Sequence, residues 1–249
     1  VIRVSALWRH PVKGVGAEPL QSTILRAGEC LPGDRAFAIA QQGAETTGAW
    51  AACRNFVRGA KAGSLMAVSA RPDGDNYIFT HPDRPDLRVA LPAQGDDLIE
   101  WIRPLYPDNR PAPERLVTSR EQGMTDAAFP SISLLSDASR SALGSAADAT
   151  LDRRRFRGNI WLDGLEPWEE WNWIGKCLRI GTALLEVRER ITRCRATHAN
   201  PVTGRDDLDL LNVLAQNWGH RDFGVYAVCV EGGEVHIGDE ATVHDRTRS

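Results

Sequence analysis

The chain has 249 residues, 42% hydrophobic and 25% charged, with a formal net charge of −3 at pH 7. That length and balance describe a globular protein of one large or two small domains. The slight acidity excludes a nucleic-acid binder held by bulk electrostatics, and no apolar run approaches the roughly 20 residues of a membrane span.

Short strands are predicted first. Residues 1–7 alternate and are rich in β-branched side chains, and residues 35–40 alternate again after the turn Pro32-Gly33-Asp34. Residues 65–70 and 77–80 flank Pro72-Asp73-Gly74-Asp75, which reads as a hairpin. Strands at such spacing predict a small barrel or sandwich. Residues 103–115 hold four prolines and are the linker candidate. Ser136 and Asp137 open a predicted helix running to about residue 147. Residues 159–162 read as a strand, and residues 178–187 as two strands broken at Gly181. Residues 206–218 are the clearest helix: Leu208, Leu211 and Leu214 recur at helical spacing, Asp206 and Asp207 suit the N-terminus, and Gly219 suits the end. Residues 223–230 read as a strand, turned at Gly232-Gly233 into a hairpin that runs to residue 243.

Two residue counts bear on chemistry. Only three of the 30 basic residues are lysines (Lys13, Lys61 and Lys176), so 27 are arginines. An arginine excess is mostly a compositional habit, and planar, bidentate recognition has to be argued position by position. The five cysteines (Cys30, Cys53, Cys177, Cys194 and Cys229) are odd in number and form no C-x-x-C pair. This argues against a zinc site or disulfide framework and fits a reducing, cytoplasmic setting. Residues 1–10 are too short and polar to hold the apolar core of a signal peptide, although the chain starts with Val and leaves an upstream segment open.

Cys194 sits in Arg190-Ile191-Thr192-Arg193-Cys194-Arg195. Nearby cations favour a thiolate, which is the nucleophile and the soft-metal ligand. The plainer reading is a buried strand cysteine with arginines on the solvent face. One thiolate is too few for zinc, but it suffices for a metal already chelated by a cofactor. The run Arg153-Arg154-Arg155-Phe156-Arg157-Gly158-Asn159 is either a phosphate clamp or a solvated turn. Pro11-Val12-Lys13-Gly14 and Asp34-Arg35 are weaker loop candidates. Trp168, Trp171 and Trp173 read as packing, with Glu166, Glu169 and Glu170 as a solvated edge. The histidines show no H-x-x-x-H or H-E-x-x-H spacing, and G-x-S-x-G, Walker A and G-x-G-x-x-G sequences are absent.

Taken in order, these pieces resemble the MOSC family, the molybdenum-cofactor sulfurase C-terminal domain, preceded by its usual N-terminal β-barrel domain. The resemblance runs through Leu7-Trp8-Arg9-His10-Pro11-Val12-Lys13-Gly14, Gly33-Asp34-Arg35-Ala36-Phe37 and Ser131-Ile132-Ser133-Leu134-Leu135-Ser136. It continues through Phe156-Arg157-Gly158-Asn159-Ile160, Trp173-Ile174-Gly175-Lys176, Arg193-Cys194, Pro201-Val202-Thr203-Gly204, Phe223-Gly224-Val225-Tyr226 and Ile237-Gly238-Asp239. It implies a mainly β fold with a few helices. An N-terminal β-barrel-like domain (residues 1–112) would pack on a C-terminal MOSC β-barrel domain (residues 113–249).

By the same resemblance, to the mitochondrial amidoxime-reducing component and its bacterial relatives, the chain binds a pyranopterin molybdenum cofactor and reduces N-hydroxylated or S-oxide compounds. Cys194 is then the metal ligand, Arg157 and Asn159 fall on pterin-binding positions, and Thr192 lies beside the ligand. Lys13 and Arg35 reach the cofactor's phosphate, and Asp126 and Ser131 fall near the metal, with Asp126 joining Cys194 as a catalytic residue. Arg153, Arg154 and Arg155 are expected to supply only flanking charge. Gly14 stands where relatives often place Ser, and Gly158 where Pro is common, which is expected to loosen the turn.

No cysteine-clustered ferredoxin-like domain follows, so electrons are expected from a separate ferredoxin-, flavoprotein- or cytochrome-type protein. Nucleic acid and membrane are not expected as partners. The alternatives are a sulfur or cofactor carrier using a Cys194 persulfide, and a binding module without catalysis. Pyridoxal phosphate is not expected, because only three lysines are available for a Schiff base.

Overall fold

A computed structural model of the chain describes residues 1–47, 49–119 and 122–245. The N-terminal half supplies β1 (Ile2–Arg9), β2 (Glu18–Leu20), β3 (Ser22–Leu25), β4 (Phe37–Gln41), β5 (Ser69–Asp73), β6 (Asn76–His81), β7 (Arg84–Val89), α1 (Gly95–Ile102) and β8 (Pro113–Thr118). The C-terminal half supplies β9 (Ile132–Ser136), α2 (Asp137–Ala146), β10 (Ile160–Asp163), β11 (Cys177–Ile180), β12 (Ala183–Thr192), α3 (Leu210–Trp218), β13 (Asp222–Glu231), β14 (Gly233–His236) and β15 (Glu240–His244). No described helix is long and apolar enough to cross a membrane.

The mainly β architecture is as expected, and its centre is a closed barrel. The strand order β10-β9-β13-β12-β11-β15-β1 returns from β1 to β10, and β2 pairs with the end of β1 beyond β15, along the same edge. Closure removes exposed sheet edges. Alternate residues turn inward: on β13, Val225, Ala227 and Cys229 join Val4, Leu134, Ile160, Leu162, Leu185 and Val187 in one buried core. A second core gathers Val12, Ile39, Phe79, Val89, Leu98, Ile99 and Ile102 under the β5-β6-β7 meander, the β4–β8 pair and α1. This N-terminal lobe is β-rich but built from small open sheets rather than a closed barrel.

Strand pairing crosses the expected division at residues 112 and 113. β1 belongs to the C-terminal barrel, pairing with β10 and β15, while β8 pairs with β4 of the N-terminal lobe. The linker candidate is accordingly structured at its end, because Pro113 already begins β8. Residues 63–67 form a 3-10 turn instead of a strand, and the hairpin begins at Ser69. The expected final hairpin is also replaced: β14 pairs with β3, and β15 inserts between β11 and β1.

Helix ends follow side-chain chemistry. Ser136 accepts a hydrogen bond from the Ser139 amide at 3.2 Å to start α2. Asp209, not Asp206 or Asp207, caps α3 through the Asn212 amide at 3.1 Å, and Gly219 ends it at φ 75°.

Glu170 corrects the reading of residues 166–170 as a solvated edge, because its side chain is wholly buried. Both its carboxyl oxygens lie 3.0 Å from Ser139 Oγ, which accepts from the Trp168 amide at 2.8 Å. Burial pushes its pKa up to about 7. The folded state therefore holds this proton more tightly than the unfolded chain. Stability from the group is full below about pH 4.5 and declines as pH rises to about 7, by roughly 3 kcal/mol in all. Glu170→Gln should flatten that decline and raise the melting temperature at pH 8 relative to pH 5. An unchanged pH profile in thermal denaturation would contradict the assignment.

Gly158 lies against the core. A Cβ there would lie 2.1 Å from Cδ1 and 3.0 Å from Cγ of Leu135, which is fully buried. Gly158→Ala should therefore displace Leu135 and cost about 2 kcal/mol. In thermal denaturation this is a fall of roughly 5 °C for a protein of this size.

Candidate functional site

The two lobes enclose a cavity of about 290 Å³. Every candidate from the sequence lines it: Lys13, Arg35, Asp126, Ser131, Arg157, Asn159, Thr192 and Cys194. Segments far apart in the chain meet there because β1, β9, β10, β12 and β13 share one barrel while the loop after β1 reaches the other lobe.

Cys194 is exposed and follows the end of β12. Its carbonyl accepts the Thr197 amide at 3.2 Å and Thr197 Oγ1 at 3.1 Å, which fixes the turn it opens. The three arginines around it diverge. Arg190 lies over the Trp171 ring at 4.1 Å, and Arg195 pairs with Asp206 at 2.9 Å. Only Arg193 lines the cavity, donating to the Phe156 carbonyl at 2.8 Å and to the Phe223 carbonyl at 2.6 and 2.8 Å. Burial lowers its pKa to about 10.

Arg157 adopts a left-handed backbone, φ 48°. Its guanidinium donates to the Gly16 carbonyl at 2.9 Å and the Val12 carbonyl at 3.1 Å, and no carboxylate pairs with it among the described residues. Burial, then the nearby Arg35, lowers its pKa to about 9. Arg35 has its own anion in Asp34, and its second amino group donates to the Arg157 carbonyl at 2.7 Å. Asp34 is buried and also accepts the His10 amide at 2.7 Å. Burial opposes its charge, but Arg35 and His10 outweigh that and hold its pKa far below the carboxylate range. Burial and the field of Arg157 and Arg35 drop His10 to about 3, so its ring is neutral.

The Lys13 ammonium donates to the Met124 carbonyl at 2.8 Å and to Asp126 Oδ1 at 2.5 Å. Burial opposes ionisation of Asp126, but Lys13, Arg35 and Arg157 keep its pKa below the ordinary value. Gly14 is required where it stands: its φ is 74°, and a Cβ would lie 2.8 Å from Arg58 Cα and the Val57 carbonyl oxygen. A Ser at that position would meet backbone.

Asn159 spends its side chain within the protein. Its Oδ1 accepts from the Ser133 amide at 3.1 Å and from Ser133 Oγ at 2.8 Å, and its Nδ2 donates to the Trp8 carbonyl at 3.3 Å. Thr192 donates to Asp222 at 2.6 Å. Ser131 is 2% exposed, and its Oγ has no hydrogen-bond partner. A buried, unpartnered hydroxyl facing a cavity signals a ligand or ordered water.

Arg155, Arg193, Tyr226, Cys53 and Arg58 also line the cavity, although no sequence motif assigned any of them to a binding role. Arg155 is the correction to the flanking-charge expectation. Arg153 and Arg154 do pair locally with Asp137 and Asp152, but Arg155 is buried against the cavity, bonded to Asp207 at 2.7 Å and to the His198 carbonyl at 3.1 Å. Burial raises Tyr226 to about 12, so its phenol stays neutral. Arg58 donates to Cys53 Sγ at 3.0 Å, placing a second cysteine in the same wall. Among the described residues, no three His, Cys, Asp or Glu side chains are grouped to hold a bare metal ion.

Residues 126–242 match the model of the MOSC domain. Similar solved structures include the YuaD protein from Bacillus subtilis, 12% identical over 99% of this chain and 97% of that one, with a TM-score of 0.49. YiiM from Geobacillus stearothermophilus is 21% identical over 46% of this chain and 54% of that one, with a TM-score of 0.37. No curated protein matches the chain.

Proposed function

Because this chain belongs to the MOSC family through residues 126–242, a family associated with the molybdenum cofactor, we propose that it is a molybdenum-cofactor-binding oxidoreductase reducing N-hydroxylated or S-oxide compounds. The observation that carries this reading is one cavity combining the exposed Cys194 thiol, the uncompensated Arg157 guanidinium and the orphaned Ser131 hydroxyl. A pyranopterin cofactor brings a phosphate, a polar heterocycle and a metal already held by two sulfurs. The residues present fit that group, since it asks the protein for cations, hydrogen-bonding groups and one soft donor.

Cys194 Sγ would be that donor. Lys13 and Arg35 would hold the phosphate. Arg35 is already oriented by Asp34 and the Arg157 carbonyl, so little side-chain entropy is lost on binding. Arg157 and Ser131 would meet the pterin, and Asn159 keeps that wall in register by tying β1, β9 and β10 together. Thr192 and Phe156 close the sides around Cys194.

When bound, the cofactor supplies a two-electron centre that takes an oxygen atom from the substrate. Asp126, ionised beside Lys13, accepts hydrogen bonds in this cavity and would hold the proton of an N-hydroxyl group at its second oxygen. Electrons would come from a separate ferredoxin-, flavoprotein- or cytochrome-type protein in the cytoplasm.

The test is reduction of benzamidoxime by protein made in a cofactor-competent host, with reduced methyl viologen as donor. Turnover supports the reading. Exposure of Cys194 also favours a second reading, a persulfide carrier. A labile sulfur adduct on Cys194, with neither pterin nor turnover, would replace the first reading by the second.

A further inference from the structure

A smaller pocket of about 190 Å³ adjoins the main cavity and shares Gly59 and Ala60 with it. Its charged side chains are Lys61, Arg110, Arg195 and Asp206. The three cations come from three separate segments. Lys61 stands on the turn closed by its own amide on the Arg58 carbonyl at 3.0 Å. Arg110 ends a turn closed on the Pro107 carbonyl at 3.2 Å, and Arg195 directly follows Cys194.

The charges do not balance. Asp206 pairs with Arg195 at 2.9 Å, whereas neither Lys61 nor Arg110 has a hydrogen bond or ion pair from its side chain among the described residues. Asp206 is the pocket's single carboxylate among the described residues, and its Oδ2 is already taken by the Arg195 guanidinium. The pocket thus keeps two unneutralised cations beside the approach to Cys194. Like charges converging on a concave site favour occupation by an anion.

We propose that this pocket is an anion subsite that takes a carboxylate or phosphate carried by the molecule whose other end reaches Cys194. It deepens the function proposed above by giving the substrate an anionic group. It rests on that reading only in that Cys194 is where ligands react, and not on the presence of a metal. A neutral substrate would leave Lys61 and Arg110 unmatched. An anionic one gains a second point of attachment, which fixes its orientation over the thiol.

The experiment needs no turnover. The purified chain is alkylated with iodoacetate, an anion, or with neutral iodoacetamide, and modification of Cys194 is followed by peptide mass spectrometry. The rate ratio of the two reagents should fall about fivefold in the double variant K61A/R110A, and this difference should shrink in 0.5 M salt, about where screening reaches a few ångströms. An equal iodoacetamide rate in both proteins shows that the thiol and the fold are intact. Inorganic phosphate should suppress the iodoacetate advantage in the native chain and leave the variant unaffected. A reagent ratio unchanged by the double substitution overturns the proposal, whatever the metal content or activity of the protein.

Discussion

Cys194→Ala should lower benzamidoxime reduction by the cofactor-loaded protein at least about a hundredfold, while its pterin content falls no more than about twofold. The activity loss follows because Cys194 is the soft donor in the cavity proposed to complete the metal's coordination, and outer-shell changes alone commonly cost 10- to 100-fold. The pterin is retained because Lys13, Arg35 and Arg157 are oriented by partners that do not involve Cys194: Met124 and Asp126, Asp34, and the Gly16 and Val12 carbonyls. The two readouts are activity with reduced methyl viologen and fluorescence of the oxidised pterin. Undiminished turnover in the variant would remove Cys194 from the metal site.

Arg157→Met should have the converse signature. Cofactor content should fall about tenfold or more, and the melting temperature of the cofactor-free protein should stay within a few degrees of the parent. Two terms offset in that stability. A half-buried guanidinium without a paired carboxylate is costly, as its pKa near 9 reflects, and removing it relieves the protein. Against this, the Gly16 carbonyl loses its Arg157 donor, at about 1–3 kcal/mol, while the Val12 carbonyl keeps the Val15 amide at 3.1 Å. A residue that contributes little net stability yet stays charged inside a cavity is explained by what the cavity binds. A collapse in stability without a specific loss of cofactor would mean that Arg157 is a structural clasp between loop and barrel.

Local chemistry made part of this fold legible in the sequence. Ser136 announces α2, Gly219 ends α3, and β11 and β12 divide near Gly181 as expected. Long-range pairing was not legible. Gly232-Gly233 has the composition of a hairpin turn, but β14 leaves it to join β3, more than 200 residues earlier. α1 carries no legible signal because Leu98, Ile99, Trp101 and Ile102 crowd one short helix of eight residues, too brief to display a period. The pairing of β1 was hidden for the same reason, since nothing in its residues states that its partners are β10 and β15.

The site shows the same division. Lys13, Arg35, Arg157 and Cys194 stood out by position in ordered motifs, and all four line the cavity. The roles of neighbouring arginines did not, because sequence distance cannot separate them. Arg155 turns inward while Arg153 and Arg154 meet Asp137 and Asp152, and Arg193 faces the cavity while Arg190 covers Trp171. The direction each guanidinium takes is set by carbonyls and carboxylates from other strands. Cys53 and Arg58 come from the opposite lobe and carry no motif at all.

The reading proposed here places a molybdenum cofactor in this cavity, with Cys194 completing the metal's coordination. The most direct measurement is elemental analysis and pterin assay of the native chain and of Cys194→Ala, both purified from a host that makes the cofactor. Molybdenum and pterin should be present in about equal amounts in the native chain, with the metal-centre spectrum altered in the variant. A native chain free of both, from a host whose other molybdenum enzymes are loaded, would contradict that reading.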